Sequence, residues 1–353
     1  MKRLVRVGVG ILLSLSTILS VAQESDCEAG LRFFSHPQLA TDSICISVNP
    51  ERIAVLDPFT FEFSVVLDIP LIATPEIYID EFISNFPAYA DRFEDVTDTG
   101  VPVNLEALLF AQPDIILCRR SACENSFEQL REIAPTVMFD NEGASDWRES
   151  SRFYAQVLDL DGEIAYFEDT LDERLDALAS ELEMRFGDTS PTISVLRVRP
   201  GQLRFYFEDS FAGTTWSTVG LTSPETQSDI IQSSIERFGS ARLANISTEQ
   251  IPLIDADYVF VFVTDGLTDG DGVVYLEEIE NNPLWQALHV VQDEQLYVVD
   301  NYWFVSGYIG AHAIIDDLFT LVLNSNPSEI APNPFSTGGQ VEASSETTNT
   351  DEE

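Results

Sequence analysis

The residue type in this chain best suited to holding a ligand is arginine. The sequence carries 18 basic residues against 60 acidic ones, a formal charge of −42, and its only lysine is Lys2. The remaining cations are guanidinium forks, which grip anionic oxygens through paired, charge-assisted hydrogen bonds. Four of them follow apolar runs that read as strands: Arg119 and Arg120 after Ile115-Ile116-Leu117, Arg199 and Arg204 after Ile193–Val198. Large aromatics lie in the same or comparable loops. Phe59 follows Val55-Leu56, Tyr206, Phe211 and Trp216 come after Arg204, and Tyr302 and Trp303 follow Tyr297-Val298-Val299. Forks with flat apolar walls would bind a bulky anion. An acidic surface repels such a ligand at long range. With a screening length of about 8–10 Å, a local arginine cluster still prevails inside a cleft. The bland alternatives are surface ion pairs for the arginines and core packing for Tyr302 and Trp303; Trp285, in an apolar helix, reads as packing.

Other chemistries fit poorly. A surface this acidic excludes nucleic-acid binding. His36, His289 and His312 are scattered, which disfavours a metal site. There is no Gly-x-Ser-x-Gly elbow, phosphate-cradling loop or His-Glu-x-x-His motif, so a binding protein is expected rather than an enzyme. Asp265 to Gly272 resembles a calcium loop in composition, but Leu276 stands where the twelfth-position Glu belongs, and it reads as an acidic surface loop. Four cysteines in an exported chain suggest two disulfides. Local pairing, Cys27 with Cys45 and Cys118 with Cys123, is the simplest of three connectivities; free buried thiols are the alternative.

The elements that must position these residues form a repeated pattern. Arg52–Asp57 reads as a strand, Asn104 as the cap of a helix with Glu106 in its first turn, Ile115–Leu117 as a strand, Phe127–Ile133 as a helix and Pro135–Phe139 as a strand. The second half repeats this with a strand at Ile193–Val198, a capping box at Ser247-Thr248-Glu249-Gln250 and a strand over Asp257–Val263. Eight residues separate Glu106 from Asp114, and eight separate Glu249 from Asp257. Between the halves, Ile164, Phe167, Leu171, Leu175, Leu178, Leu182 and Phe186 predict one amphipathic helix over Glu163–Phe186, ended by Gly187. The expected organisation is a signal peptide over 1–22, an extension over 23–47 and an N-terminal α/β lobe over 48–146. A helical connector over 147–187, a C-terminal α/β lobe over 188–325 and a disordered acidic tail over 326–353 follow. Lys2, Arg3 and Arg6 before the apolar run Val7–Leu19, then Ser20-Val21-Ala22, carry the signal reading. Cleavage after Ala22 would take the formal charge from −42 to −45. Cys27 lies five residues beyond that cut, which favours a soluble product over a lipid-anchored one.

Four stretches resemble the periplasmic substrate-binding proteins of iron–siderophore ABC transporters, the group shared with vitamin B12 and haem binders. They are Asn49–Asp57; Gly100–Leu109 with Pro113–Leu117; Glu128-Gln129-Leu130 with Ile133–Val137; and Asn282–Leu288 through Tyr297–Asp300 to Ile315–Leu318. The resemblance implies two Rossmann-like lobes joined by a single long α-helix, with the ligand in the cleft between them. It also implies a periplasmic, monomeric receptor that delivers a ferric siderophore to an inner-membrane ABC permease. No cofactor is implied, since iron enters only within the siderophore. The cleft residues would be Phe59, Arg119, Arg120, Arg199, Arg204, Tyr206, Trp216, Tyr302 and Trp303. Glu106 and Glu249, one per lobe, match the glutamates by which relatives dock permease arginines; their plainer role is helix-dipole stabilisation. A cobalamin or haem ligand is the alternative, and haem would require His36, His289 or His312 to face the cleft. The acidity and near-absence of lysine depart from the family and suggest a saline habitat or a solubility adaptation.

Overall fold

The computed structural model of the chain describes residues 27–140, 147–264, 270–304 and 307–336. The signal segment, most of the Asp265–Gly272 loop and the tail beyond Ser336 lie outside these ranges. Among the described residues, no helix is long and apolar enough to cross a membrane.

A hairpin of β1 (Leu31–Phe34) and β2 (Ile44–Ser47), closed by the Cys27–Cys45 disulfide, precedes the first lobe. That lobe runs β3 (Ile53–Val55), α1 (Pro58–Val66), β4 (Leu71–Thr74), α2 (Glu76–Asn85), β5 (Thr97–Asp98), α3 (Leu105–Ala111), β6 (Ile115–Arg119), α4 (Arg120–Cys123), α5 (Phe127–Arg131) and β7 (Thr136–Phe139). Its five strands are all parallel, in the order β5-β4-β3-β6-β7. Every residue of β3, β6 and β7 is buried, as expected of a parallel sheet covered on both faces.

Two helices then cross between the lobes, α6 (Trp147–Leu158) and the 26-residue α7 (Asp161–Phe186). The second is the predicted connector, begun two residues early and ended at Gly187 with φ +64°. At 1.5 Å per residue it is about 39 Å long. Its stripe of Ile164, Phe167, Leu171, Leu175, Leu178 and Leu182 is buried, each side chain contributing about 1.5–3 kcal/mol.

The second lobe contains β8 (Ile193–Arg199), β9 (Gln202–Tyr206), α8 (Phe211–Thr218), α9 (Ser228–Phe238), β10 (Leu243–Ile246), a 3₁₀ turn at Thr248–Ile254, β11 (Tyr258–Val263) and α10 (Asp271–Glu280). After it come α11 (Pro283–Gln286), α12 (His289–Gln292), β12 (Leu296–Val299), α13 (Tyr308–Asp317) and α14 (Pro327–Ile330). The strand order is β10-β9-β8-β11-β12, with β9 antiparallel to both neighbours. That hairpin departs from an all-parallel expectation and has a local cause. Pro200-Gly201, with Gly201 at φ +67°, makes the tight turn between β8 and β9.

The repeat seen in the sequence recurs as hydrogen bonding. Asp114 accepts from the amides of Glu51 and Arg52, fastening the start of β6 to that of β3. Asp257 accepts from the amide and hydroxyl of Thr192, fastening β11 to β8 in the same way. The equal Glu–Asp spacing therefore marks one construction used twice.

Two contacts tie α13 to the rest of the molecule. Buried Arg174 on α7 donates to the carbonyl of His312 at 3.0 Å, to Asp316 and to the carbonyl of Ala331 at 2.8 Å. Burial and the Arg174 charge hold His312 well below the usual histidine range, so it stays neutral. Glu62 on α1 accepts from the amides of Gly307 and Ile309, both at 2.6 Å, at the start of α13. The tail differs from its expectation over 326–336. Ala331 and Phe335 are buried, and Phe335 stacks on Phe167 at 5.7 Å, so aromatic burial outweighs the polar composition of this stretch.

Candidate functional site

Parallel strands offer ligands the space beyond their carboxyl ends, and here those ends meet across the gap between the lobes. A cavity of about 810 Å³ is lined by the segments after β3, β5 and β6, including Asp57, Phe59, Val101 and Arg119, and by Arg242 from the second lobe. A 270 Å³ cavity shares Phe59 and Arg242 with it and adds Arg204, Tyr206, Phe211 and Phe304. A third, of 250 Å³, shares Pro58 and Tyr78 with the first and Phe304 with the second, and adds Glu62, Glu81 and Tyr302. The three are compartments of one cleft.

The first-lobe wall is built around Asp57. This buried carboxylate caps α1, accepting from Thr60 N at 3.1 Å and Thr60 Oγ1 at 2.6 Å, and also from the Arg119 amide at 3.1 Å. It therefore joins the end of β3 to the end of β6. The Arg119 guanidinium lies between the rings of Phe59 at 4.3 Å and Phe139 at 5.5 Å, and donates to Ser150 Oγ at 2.7 Å. It is 5% exposed and its Nε stands 3.9 Å from the Asp57 carboxylate, so it is a clamped, paired guanidinium rather than a swinging arm. The Cys118–Cys123 disulfide closes the loop holding Arg119, Ser121 and Ala122, all of which line the large cavity. Both disulfides follow the local pairing.

On the second-lobe wall, strand register gathers the arginines. Arg197 and Arg199 are two apart in β8 and so share a face. Arg204 in β9 stands directly opposite Arg197, and Asn245 in β10 opposite Arg204. Arg197 lies 3.9 Å from the Phe304 ring centre, donates to Thr264 Oγ1 at 2.7 Å and to Tyr206 OH at 3.3 Å. Burial lowers its pKa, the mark of a partly desolvated cation. Arg204 Nε donates to Asn245 at 2.7 Å. Among the described residues, no carboxylate lies within 4.0 Å of Arg197, Arg199 or Arg204, whereas Arg32, Arg92, Arg131, Arg148 and Arg152 each have one.

Of the residues expected in the cleft, Phe59, Arg119, Arg204, Tyr206 and Tyr302 line these cavities, and Arg199 stands beside Arg197 on the same strand face. Arg120 does not line them: it pairs with Asp140 at 2.5 Å, and that interaction draws the Asp140 carboxyl below its usual range. Trp216 and Trp303 are fully buried core residues, Trp303 stacking on Phe260 at 4.6 Å and donating its indole N–H to Asp317 at 2.7 Å. Tyr302 donates to the same Asp317 oxygen at 2.7 Å, which with burial holds its phenol protonated. None of the three histidines lines the cleft compartments. His312 is buried on Arg174, His289 pairs with Asp255 at the surface, and His36 stacks on Phe34. No group of metal-ligating side chains occurs among the described residues. The sequence reading passed over Arg197, counted as one residue of an apolar strand, and Arg242 and Phe304. For Arg197 the signal was present: two arginines at even spacing before a Pro-Gly turn and a third after it.

Glu106 and Glu249 are both exposed and occupy matching places. Each follows an edge strand, β5 or β10, at the carboxyl edge of its sheet, and opens the helical segment leading to β6 or β11. Asn104 Oδ1 caps the first by accepting from Glu106 N at 3.0 Å, and Ser247 with Gln250 forms a capping box at the second.

Several characterised proteins are similar to this chain. A probable siderophore-binding lipoprotein, YfiY, of Bacillus subtilis is 28% identical over 83% of this chain and 88% of its own length. The achromobactin-binding periplasmic protein of Dickeya dadantii is 28% identical over 76% of this chain and 85% of its own. Among solved structures, Staphylococcus aureus SirA complexed with staphyloferrin B superposes with a TM-score of 0.69 at 22% identity, covering 81% of this chain and 97% of SirA. Residues 53–302, which contain both sheets and nearly all of the cleft, match the periplasmic binding protein model, and the chain belongs to that family.

Proposed function

We propose that this protein is an extracytoplasmic receptor that captures a ferric siderophore in the interlobe cleft and hands it to the permease of an ABC importer. It performs no reaction, and the iron travels inside its chelator. The observation that carries this reading is that Arg119, Arg204 and Arg242 line one cleft of a chain whose formal charge is −42, with Arg197 standing opposite Arg204 in the strand ladder. Phe59, Tyr206, Tyr302 and Phe304 supply flat walls for an organic chelator. Relatives named for siderophore and ferric-chelate binding support the same ligand class. The receptor acts as a monomer, exported by a signal over residues 1–22 and divided into lobes on either side of α7. Glu106 and Glu249 dock it on arginines of the permease.

Fluorescence titration tests the ligand. Ferric achromobactin, ferric staphyloferrin B, ferric anguibactin, ferric dicitrate, cobalamin and haem form the panel. Saturable quenching by a ferric chelate, with none by cobalamin or haem, is expected; the reverse pattern, or silence from every chelate, overturns the reading. Docking is tested by Glu106→Arg with Glu249→Arg, which should abolish uptake while leaving chelate affinity intact.

A further inference from the structure

Helix α3 presents two unlike faces. Leu108 and Ala111 are buried against the sheet, whereas Glu106, Leu109 and Phe110 point to solvent at positions i, i+3 and i+4. Phe110 is 84% exposed and Leu109 60%, on a surface otherwise dominated by acidic groups. Single exposed apolar residues are ordinary, but two large ones sharing a helix face with a carboxylate form an amphipathic contact surface. The place of α3 in the fold narrows what covers it. Its first residue, Leu105, and the preceding Val101, which is 65% exposed, line the large cleft cavity, so the patch starts one helical turn from that lining.

We propose that Leu109 and Phe110 are the apolar anchors of the permease-docking surface, seated with Glu106 on the importer's outer face. This rests on the docking reading above. A partner that receives ligand from the cleft must cover its mouth, and this patch lies one helical turn beyond the residues that line it. Charge complementarity points the same way: a chain of charge −42 carrying a glutamate beside two apolar side chains fits a surface where basic groups flank an apolar seat. Interfaces commonly take most of their energy from a few large apolar or aromatic side chains, while rim charges steer approach. Glu106 then selects orientation, and Phe110 with Leu109 sets residence time.

The test uses the source organism with its chromosomal gene replaced by variants of the full chain, grown iron-limited and fed iron-55 bound by chelators from its own spent medium. The doubly substituted Leu109→Ser, Phe110→Ser protein should import at least about tenfold more slowly at low substrate, while the purified variant binds the same iron-55 chelates within about twofold of the original. A control with Ile235→Ser and Phe238→Ser on α9, which are 39% and 42% exposed, should import normally. Unchanged import by the α3 variant overturns the proposal. If Glu106→Arg with Glu249→Arg still abolishes import in that case, docking stands without the apolar anchors; if it does not, docking itself fails. Sedimentation velocity decides the other occupant. A wild-type dimer that the α3 substitutions convert to monomer would assign the patch to a second copy and overturn the proposal.

Discussion

Replacing Arg204 with Gln should move stability and affinity in opposite directions. In the empty protein Arg204 stands directly across the β8–β9 ladder from Arg197, with Arg199 on the same face, and no carboxylate lies within 4.0 Å of these three among the described residues. Like charges at facing positions destabilise a sheet, so removing one returns about 0.2–1 kcal/mol. For a chain of this length that is a rise in melting temperature on the order of 1 °C. The Gln amide can still donate to Asn245, now served by Arg204 at 2.7 Å, so little is lost in exchange. The ligand loses more. A hydrogen bond to a charged group is worth about 1.5–3 kcal/mol, which is roughly 10- to 150-fold in Kd. Calorimetry without ligand and fluorescence titration with the ferric chelate that saturates the wild type give the two numbers. Raising salt should weaken the wild type more steeply than the variant. A melting temperature lowered by two degrees or more, with affinity unchanged, would make Arg204 a structural strut and refute the argument.

Arg119→Lys should weaken chelate binding by about tenfold or more, because a lysine keeps the charge but loses the stack between Phe59 and Phe139 and the fork geometry; titration of the folded variant measures it. Glu62 supplies a pH test. Burial raises its carboxyl from 4.5 to about 7 against the opposing pull of three backbone amides. The folded protein therefore holds this proton more tightly than the unfolded chain. The resulting stability is complete below pH 4.5, is lost as pH rises through 7, and amounts to about 3 kcal/mol. Denaturant melts from pH 4.5 to 8 should show that slope reduced in Glu62→Gln, and an identical slope in both proteins would refute the assignment. Ending the chain after Asn326 should cost on the order of 3 kcal/mol, because it removes buried Phe335 and the Ala331 carbonyl that receives Arg174; a truncated chain as stable as the full one would mean the docked tail is only marginally held.

Much of the scaffold was legible because it rests on local signals. Apolar runs marked β3, β6, β7, β8 and β11, caps at Asn104 and Ser247 marked the two glutamate-bearing segments, and the leucine stripe marked α7 to within two residues. Two of the strands that escaped are short or little buried. Thr97–Asp98 is two residues long, and Leu243–Ile246 contains one buried residue, so neither leaves an apolar period to read. The aromatic assignments failed for a different reason. Residue type says that Trp216 and Trp303 bury large rings, but only the register of the surrounding elements says that they do so in the lobe interior. Arg120 was separated from its neighbour by a strand-to-helix turn, which sends Arg119 inward and Arg120 toward Asp140.

The distribution of ion pairs carries more weight for function than the number of arginines. With 60 acidic residues in the chain, a guanidinium placed without selection finds a carboxylate close by, and most of those outside the cleft do. Those on the β8–β9 face are held instead by neutral groups, Thr264, Tyr206, Asn245 and the Phe304 ring, which fix direction without cancelling charge. A buried or half-buried cation treated this way costs free energy in the empty protein. A bound anion offsets that cost, whereas a permanent acidic partner would both remove it and occupy the forks. The β8–β9 face therefore keeps Arg197, Arg199 and Arg204 without a carboxylate within 4.0 Å among the described residues, Glu81 across the cleft acting on Arg197 only at longer range, and that cost is best explained by a ligand rich in anionic oxygens.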